Sequence, residues 1–161
     1  MNVSGSIARG SLLSAVTAWV EQAYRWLDRV PYWLLALPLR VAVAWAFWSS
    51  AMTHLADWDT TLELFETEYQ LPFLPPDPAA YMAVSIEVTT PILLILGLLT
   101  RPACLVLLGM TAVIEIFVYP LAWPTHIQWA AMLLVLLCRG PGMLSLDWLI
   151  RRRLFGDGIP R

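Results

Sequence analysis

The chain has 161 residues, of which 59% are hydrophobic and only 14% charged, and its formal net charge is −2. Soluble domains usually carry about 25% charged residues, so this composition excludes an ordinary soluble domain, and the charge excludes a basic nucleic-acid-binding protein. The length suits one domain. The hydrophobic residues fall in long blocks, which predicts an integral membrane protein.

Residues 1–30 are predicted to form an amphipathic helix on the membrane surface. Their apolar residues recur at helical spacing with charged residues between them, a pattern typical of helices in the headgroup region. Charges interrupt the apolar run, and no cleavage site follows it, so a signal peptide is not expected. The alternative is a frayed N-terminal extension. The apolar positions are Leu12, Val16, Trp19, Ala23, Leu27 and Val30.

Four apolar segments follow, at residues 32–52, 81–99, 103–119 and 126–138. A helix of about 20 residues crosses the hydrocarbon core of a bilayer. The predicted fold is therefore all-α: an integral membrane four-helix bundle, residues 31–148, with flanking amphipathic interfacial helices. Residues 149–161 are predicted to be a basic cytoplasmic tail.

The loop of residues 54–78 is acidic and contains no arginine. Thr60 and Glu63 have the spacing of a capping box, which predicts a short interfacial helix with Thr60 as its N-cap. The prolines between residues 72 and 78 predict an extended return to the next span.

The arginines indicate how the bundle is oriented. All of them except Arg40 fall on one side of the four-span topology, and basic residues are enriched on the cytoplasmic side of membrane proteins. We therefore expect a multi-pass protein of the bacterial inner membrane with both termini in the cytoplasm and loop 54–78 outside. The arginines on the predicted cytoplasmic side are Arg9, Arg25, Arg29, Arg101, Arg139, Arg151, Arg152, Arg153 and Arg161.

Four polar side chains, one on each predicted span, are expected to converge on the outer half of the bundle: His54, Glu87, Glu115 and His126. Glu87 lies four residues before Pro91, and a proline leaves the carbonyl four residues earlier without its helical donor. Lipid offers neither this carbonyl nor the carboxylate a partner.

Several interpretations of this cluster are open. His54, His126 and Glu115 could bind a transition metal, or the groups could form a proton relay or a polar pocket for a quinone headgroup. Alternatively, Glu87 only hydrogen-bonds within the bundle while the histidines lie at the interface. A fifth possibility is that Arg40 reaches Glu87 and forms a structural ion pair with it.

The pattern resembles the DoxX family of four-helix bacterial membrane proteins over about residues 34–148. Family members often have lysine at the position of His54. The residues that carry the resemblance are Leu39-Arg40, Thr53-His54-Leu55-Ala56-Asp57-Trp58, Glu87 with Pro91, Leu96-Gly97-Leu98-Leu99-Thr100-Arg101, and Gly140-Pro141-Gly142-Met143-Leu144-Ser145-Leu146-Asp147.

The resemblance implies a membrane subunit linked to sulfur or thiol redox chemistry, by analogy with the quinone-reducing thiosulfate enzyme that named the family. The acidic loop looks like that of a subgroup found beside genes for copper-binding modified peptides, which suggests metal stress. No haem, flavin or iron–sulfur motif is present, so quinone and a transition metal are the cofactors considered.

Three hypotheses follow. The first is an accessory inner-membrane protein of a redox or metal-stress system, in which Glu87 and Arg40 form a polar core and His54, Glu115 and His126 line an outward pocket. The second is the membrane subunit of a quinone-linked oxidoreductase. The third is a membrane chaperone or scaffold. The expected partners are the lipid bilayer, a soluble redox subunit or metal-handling protein, and a second copy of the chain.

Overall fold

The computed structural model describes the backbone of residues 4–156 and the side chains of residues 16–154 and 156. The chain forms two compact units, Met1–Tyr32 and Trp33–Arg161. The last part of the predicted basic tail, including Arg161, lies outside the described residues, as do the side chains of Arg9 and Leu12.

The N-terminal unit contains one helix, α1 (Ser4–Leu27). Glu21 and Arg25 form an ion pair one turn apart at 3.9 Å, and the Arg29 guanidinium lies 6.0 Å from the centre of the Trp26 ring. Exposed pairs of this kind add little stability. The position of α1 on a membrane surface stays a prediction.

The remaining helices are, in chain order, α2 (Tyr32–Ala56), α3 (Trp58–Leu64), α4 (Pro76–Leu96), α5 (Thr100–Val113), α6 (Trp123–Arg139) and α7 (Leu146–Phe155). Four helical segments are long and apolar enough to cross a membrane: α2, α4, α5 with its π-helical continuation Ile114–Val118, and α6 with the preceding 3-10 turn Pro120–Ala122. The predicted all-α membrane bundle is confirmed.

Helix α4 begins at Pro76, several residues before the predicted start of the second span. The first N–H groups of a helix have no partner within it, so a proline there loses no hydrogen bond. Pro76 and Pro78 therefore lie in the first turn of α4. The prediction that these prolines form an extended segment was wrong.

Helix α3 begins at a different cap from the predicted one. The Asp57 carboxylate accepts hydrogen bonds from the Thr60 backbone N–H at 3.1 Å and from the Thr60 hydroxyl at 2.7 Å. Asp57 is thus the N-cap, because its side chain satisfies an orphan N–H of the first turn. A π-helical turn, Phe65–Tyr69, continues α3 and ends at Gln70, whose φ is 30°.

The opposite end of the bundle is held by the start of α7. The Asp147 carboxylate accepts from the N–H groups of Leu99 and Thr100 at 2.8 and 2.9 Å, and its own N–H donates to the Gly97 carbonyl at 2.9 Å. Gly97 has a φ of +63°, and a Cβ there would lie 2.4 Å from the Cβ of Ser145. Only glycine fits this turn. We call this the α7 end of the bundle and the opposite one, where α3 lies, the α3 end.

Candidate functional site

The α3 end contains a buried carboxylate–imidazole pair. Glu87 on α4 is 2% exposed. One carboxylate oxygen lies 2.8 Å from Nδ1 of His54 on α2, and the other accepts a hydrogen bond from the Ser50 hydroxyl at 2.9 Å. Both carboxylate oxygens therefore have a partner, as a buried carboxylate requires.

The pair is electrically neutral when it holds one proton, whether that proton is on the imidazole or on the carboxyl group. A neutral pair is far less costly to bury in an apolar bundle than an isolated charge. Because Nδ1 of His54 is engaged by Glu87, Nε2 is the nitrogen that remains to meet a ligand. The pair can therefore hold a proton and present one hydrogen-bonding atom beyond itself.

The end of α3 and its π-helical turn cover His54. The Thr61 hydroxyl donates to the His54 carbonyl at 2.8 Å, and the ring of Phe65 meets the His54 ring edge-on at 6.2 Å between centroids. Phe65 is 5% exposed and packs in a cluster with Ala79 and Ala80 at the start of α4. The cover is thus anchored to both helices that supply the pair.

Tyr69 extends this cover toward α5. Its ring lies 4.8 Å from that of Phe65 and 5.7 Å from that of Tyr119, and the Tyr119 hydroxyl donates to Glu68 at 3.5 Å. Burial raises the pKa of Tyr69, and the Tyr119 hydroxyl and the negative charges of Glu87 and Glu68 act in the same direction. These effects favour the neutral Tyr69 hydroxyl, which forms a hydrogen bond with the Tyr119 hydroxyl beside the pair.

A second pair joins α5 and α6. Nδ1 of His126 lies 2.6 Å from a carboxylate oxygen of Glu115. The His126 side chain is 7% exposed and that of Glu115 is 31% exposed. The carboxylate of this pair is therefore more exposed than that of Glu87. The His126 ring also contacts Trp129, which in turn contacts Phe47 of α2. Glu115 belongs to the π-helical continuation of α5, a kind of irregularity that is frequent at functional sites.

The predicted metal triad is not assembled. His54 and His126 belong to separate pairs, each with its own carboxylate. Within residues 16–154, no three side chains of His, Cys, Asp or Glu lie close enough together to hold a metal ion. The triad of His54, His126 and Glu115 was therefore a wrong grouping, because rotation of the helices about their axes gives each histidine a different partner.

Arg40 lies at the α7 end and does not pair with Glu87. It is 1% exposed, and its guanidinium donates to backbone carbonyls at the end of α4 and in the turn before α7. The alternative in which Arg40 forms an ion pair with Glu87, and the hypothesis that the two form one polar core, are therefore not supported, and Arg40 is a structural polar core separate from the site. Its acceptors are the carbonyls of Leu94 at 2.6 Å, Leu144 at 2.7 Å, Pro141 at 3.2 Å, and Ile95.

Sequence reasoning missed two participants, Ser50 and Tyr69. Ser50 lies four residues before His54, so both project from the same face of α2. That spacing was a signal that a polar face continued inward from His54. Tyr69 carried no such signal, because its approach to the pair depends on how the π-helical turn folds back over α4.

Two cavities of the described structure are lined by other residues. One, of about 440 Å³, lies at Val118–Ala122 beside the α5–α6 turn. The other is an apolar groove of about 310 Å³ between α2 and α4, lined by residues that include Trp45, Trp48 and Pro91. Pro91 is one helical turn from Glu87. The structure therefore closes the pair beneath α3 and places an apolar groove one turn away from it.

Comparison with known proteins gives one family. A family model described as DoxX matches residues 35–120, which is more than half of the chain. The match runs from the start of α2 to the turn after α5, so it contains Arg40, His54, Glu87 and Glu115 but not His126. Comparisons with curated proteins and with solved structures found no match.

Proposed function

Because this chain belongs to the DoxX family, we propose that it is an accessory inner-membrane protein of a redox or metal-stress system, with the His54–Glu87 pair as a site for a quinone headgroup. The observation that carries the proposal is the burial of Glu87 within 2.8 Å of His54. An ionisable pair within a membrane bundle costs stability and is by default a functional site.

The donors at the site suit a quinone. A quinone headgroup has two carbonyl oxygens and takes up protons when it is reduced. Nε2 of His54 and the hydroxyl of Tyr69 are candidate partners for such carbonyls, and the His54–Glu87 pair can hold and transfer a proton. The same residues suit a metal ion less well, because the described side chains offer pairs rather than sets of three ligands.

Access to the pair fits an amphiphilic ligand. Phe65 packs in the apolar part of the cover over His54. The groove between α2 and α4, in contrast, opens toward the lipid side of the bundle, since Trp45 in its lining is 71% exposed. A ligand with a polar head and an apolar tail would find a polar partner and an apolar groove one helical turn apart. A purely water-soluble substrate would need the α3 cover to move.

The charge distribution supports the proposed orientation. Exposed arginines lie at the α7 end, in the α4–α5 turn and at the end of α6, and exposed acids lie on and around α3. This asymmetry follows the rule that basic loops remain cytoplasmic. In this orientation the site lies toward the outer face of the inner membrane, and both termini are cytoplasmic.

The acidic surface of α3 supports the accessory part of the proposal. Four carboxylates are exposed along Trp58–Tyr69, directly above the site. A soluble redox subunit or metal-handling protein with a basic docking face would be steered to this surface. The same surface would serve a scaffold, the second candidate function. The four residues are Asp59, Glu63, Glu66 and Glu68.

Native mass spectrometry of protein extracted from its own membranes in mild detergent tests the proposal. The wild type should carry excess mass equal to a quinone, and Glu87→Gln should lose that mass while the protein level is unchanged. Glu115→Gln is the matched control, since it changes the other carboxylate–imidazole pair, and it should keep the mass.

Three further outcomes decide between the hypotheses. A co-purifying soluble subunit, lost on charge reversal at Glu63 and Glu66, would support the accessory function and identify the chemistry through the partner. Protein without ligand or subunit would contradict the redox proposal. A homodimer without other partners would favour the scaffold.

A further inference from the structure

The first turn of the last described helix, α7, holds one end of the bundle, but neither the site nor the bundle accounts for the rest of the helix. It begins with Ser145 as N-cap, whose hydroxyl accepts from the Trp148 N–H at 3.2 Å, and it spans 10 residues. At a rise of about 1.5 Å per residue it is roughly 15 Å long, too short to cross a bilayer. It must therefore lie outside the hydrocarbon core or along its edge.

The position of α7 is set by its first turn. Asp147 bonds to the backbone of the α4–α5 turn through both carboxylate oxygens and through its own N–H. This turn joins two of the four candidate spans, so the start of α7 lies at the level where those spans leave the membrane. The helix is thus held at the membrane boundary.

The surface of α7 has two parts. Apolar residues recur at helical spacing and are exposed: Leu146 at 37%, Leu149 at 49%, Ile150 at 45% and Leu154 at 71%. Three exposed arginines, Arg151, Arg152 and Arg153, follow toward the C-terminal end of α7. At helical spacing Arg151 and Arg152 flank the apolar face on its two sides, whereas Arg153 lies on that face between Leu149 and Leu154. The Arg152 guanidinium lies 5.2 Å from the centre of the Trp148 ring. An apolar face flanked by basic residues is the pattern of a helix that lies in the headgroup region.

We propose that α7 is a binding surface for anionic phospholipid headgroups. Its apolar face lies against the acyl boundary, and its arginines contact the phosphates. Charge complementarity selects this occupant, because α7 has three arginines and one aspartate, and that aspartate is engaged in backbone hydrogen bonds. Guanidinium groups bind phosphate oxygens through paired hydrogen bonds. This proposal does not depend on the function of the His54–Glu87 pair.

Amide hydrogen exchange of the full chain in lipid nanodiscs tests the proposal. The discs contain phosphatidylcholine alone or phosphatidylcholine with phosphatidylglycerol, and exchange is followed in peptides from Leu146–Phe155. A short helix is marginal without tertiary or lipid contacts, so bound headgroups should protect it. Each basic residue near an anionic surface contributes enough to slow exchange severalfold, and 0.5 M salt should remove the difference by screening.

The double variant Arg151→Gln/Arg153→Gln should lose most of the dependence on anionic lipid. In discs with phosphatidylglycerol, amide exchange in α7 should be roughly 30-fold faster than in the wild type. Arg101→Gln is the matched control, since it removes an exposed arginine at the same end without changing α7, and it should behave as the wild type. Unchanged exchange in peptides of α4 shows that each variant is folded.

Two results would overturn the proposal. Equal protection in both lipids would mean that α7 is buried by its apolar face alone, with no headgroup recognition. Fast exchange in both lipids would mean that the bilayer does not cover this face, which would then be available to a protein partner.

Discussion

Nδ1 of His54 and Oε2 of Glu87 lie 2.8 Å apart, although the two residues are on different spans and 33 positions apart in the chain. Ser50 occupies the other carboxylate oxygen, so Glu87 has its hydrogen bonds supplied by α2. These hydrogen bonds join α2 to α4 at the α3 end, and those of Arg40 join the same two helices at the α7 end.

The His54–Glu87 contact should appear as a coupling energy. A double-mutant cycle of His54→Gln and Glu87→Gln, measured by unfolding in mild detergent, should give about 1.5–3 kcal/mol, the range for hydrogen bonds that involve a charged group. The control cycle of Ser50→Ala and Glu115→Gln joins groups of different pairs and should be additive within about 0.5 kcal/mol. Additivity in the first cycle would contradict the proposed pair.

Arg40→Lys should destabilise the protein although it keeps the charge. Lysine cannot reproduce a fork of donors that reaches four carbonyls, and carbonyls left without a donor in the interior are costly, so we expect a loss of about 3 kcal/mol or more. Arg101→Lys should be nearly neutral, because Arg101 is exposed and makes a long hydrogen bond of 3.4 Å to the Cys138 carbonyl. Thermal unfolding in detergent measures both.

A double variant tests whether Arg40 and Glu87, at opposite ends of the bundle, act independently. If Arg40 acted through Glu87, Glu87→Gln would relieve the defect of Arg40→Gln, because it would remove the charge left unpaired. The structure predicts no such rescue, and protein level in the membrane is the readout.

Gly97→Ala should be strongly destabilising. The left-handed backbone alone costs about 1–2 kcal/mol for a residue with a side chain, and the new methyl group would meet Ser145 at 2.4 Å. Gly109→Ala is the control, because it lies within α5 and its added carbon has no neighbour within 4 Å. It should be neutral or stabilise α5 by about 0.5–1 kcal/mol. Unfolding midpoints that fall equally in both variants would argue against the turn described here.

The cap of α3 should be sensitive to acid. The hydrogen bonds from Thr60 lower the pKa of Asp57, so its contribution to α3 is present above the ordinary carboxyl range and is lost as the pH falls through the lowered pKa. Protection of the amides in Trp58–Leu64, relative to their intrinsic exchange rate at each pH, should therefore fall at low pH in the wild type. Asp57→Asn keeps an acceptor without the charge, and it should remove this pH dependence. Asp59→Asn, which does not cap the helix, should leave the dependence intact.

The contacts of Arg40, Glu87 and Glu115 could not be predicted from the sequence. Arg40 and His54 are 14 residues apart on one helix, or about 21 Å along its axis. Glu87 therefore could not contact both of them. The sequence predicts one group of four ligand-type side chains, whereas the structure has two pairs, His54–Glu87 and His126–Glu115. This division into pairs depends on which faces of the helices meet.

Hydrophobic length was enough to predict the four helices that can span a membrane, because the length and composition of a span are properties of a local segment and of its solvent. The orientation inferred from the arginines stays a prediction. Helix ends were less predictable. Whether a residue such as Asp57 caps a helix, or a proline such as Pro76 lies in its first turn, depends on the path of the loop that joins two helices. The partners of Glu87 and Arg40 emerged only from packing: a buried polar group takes whichever acceptor or donor the neighbouring helix presents, and the rotation of each helix is set by the whole bundle.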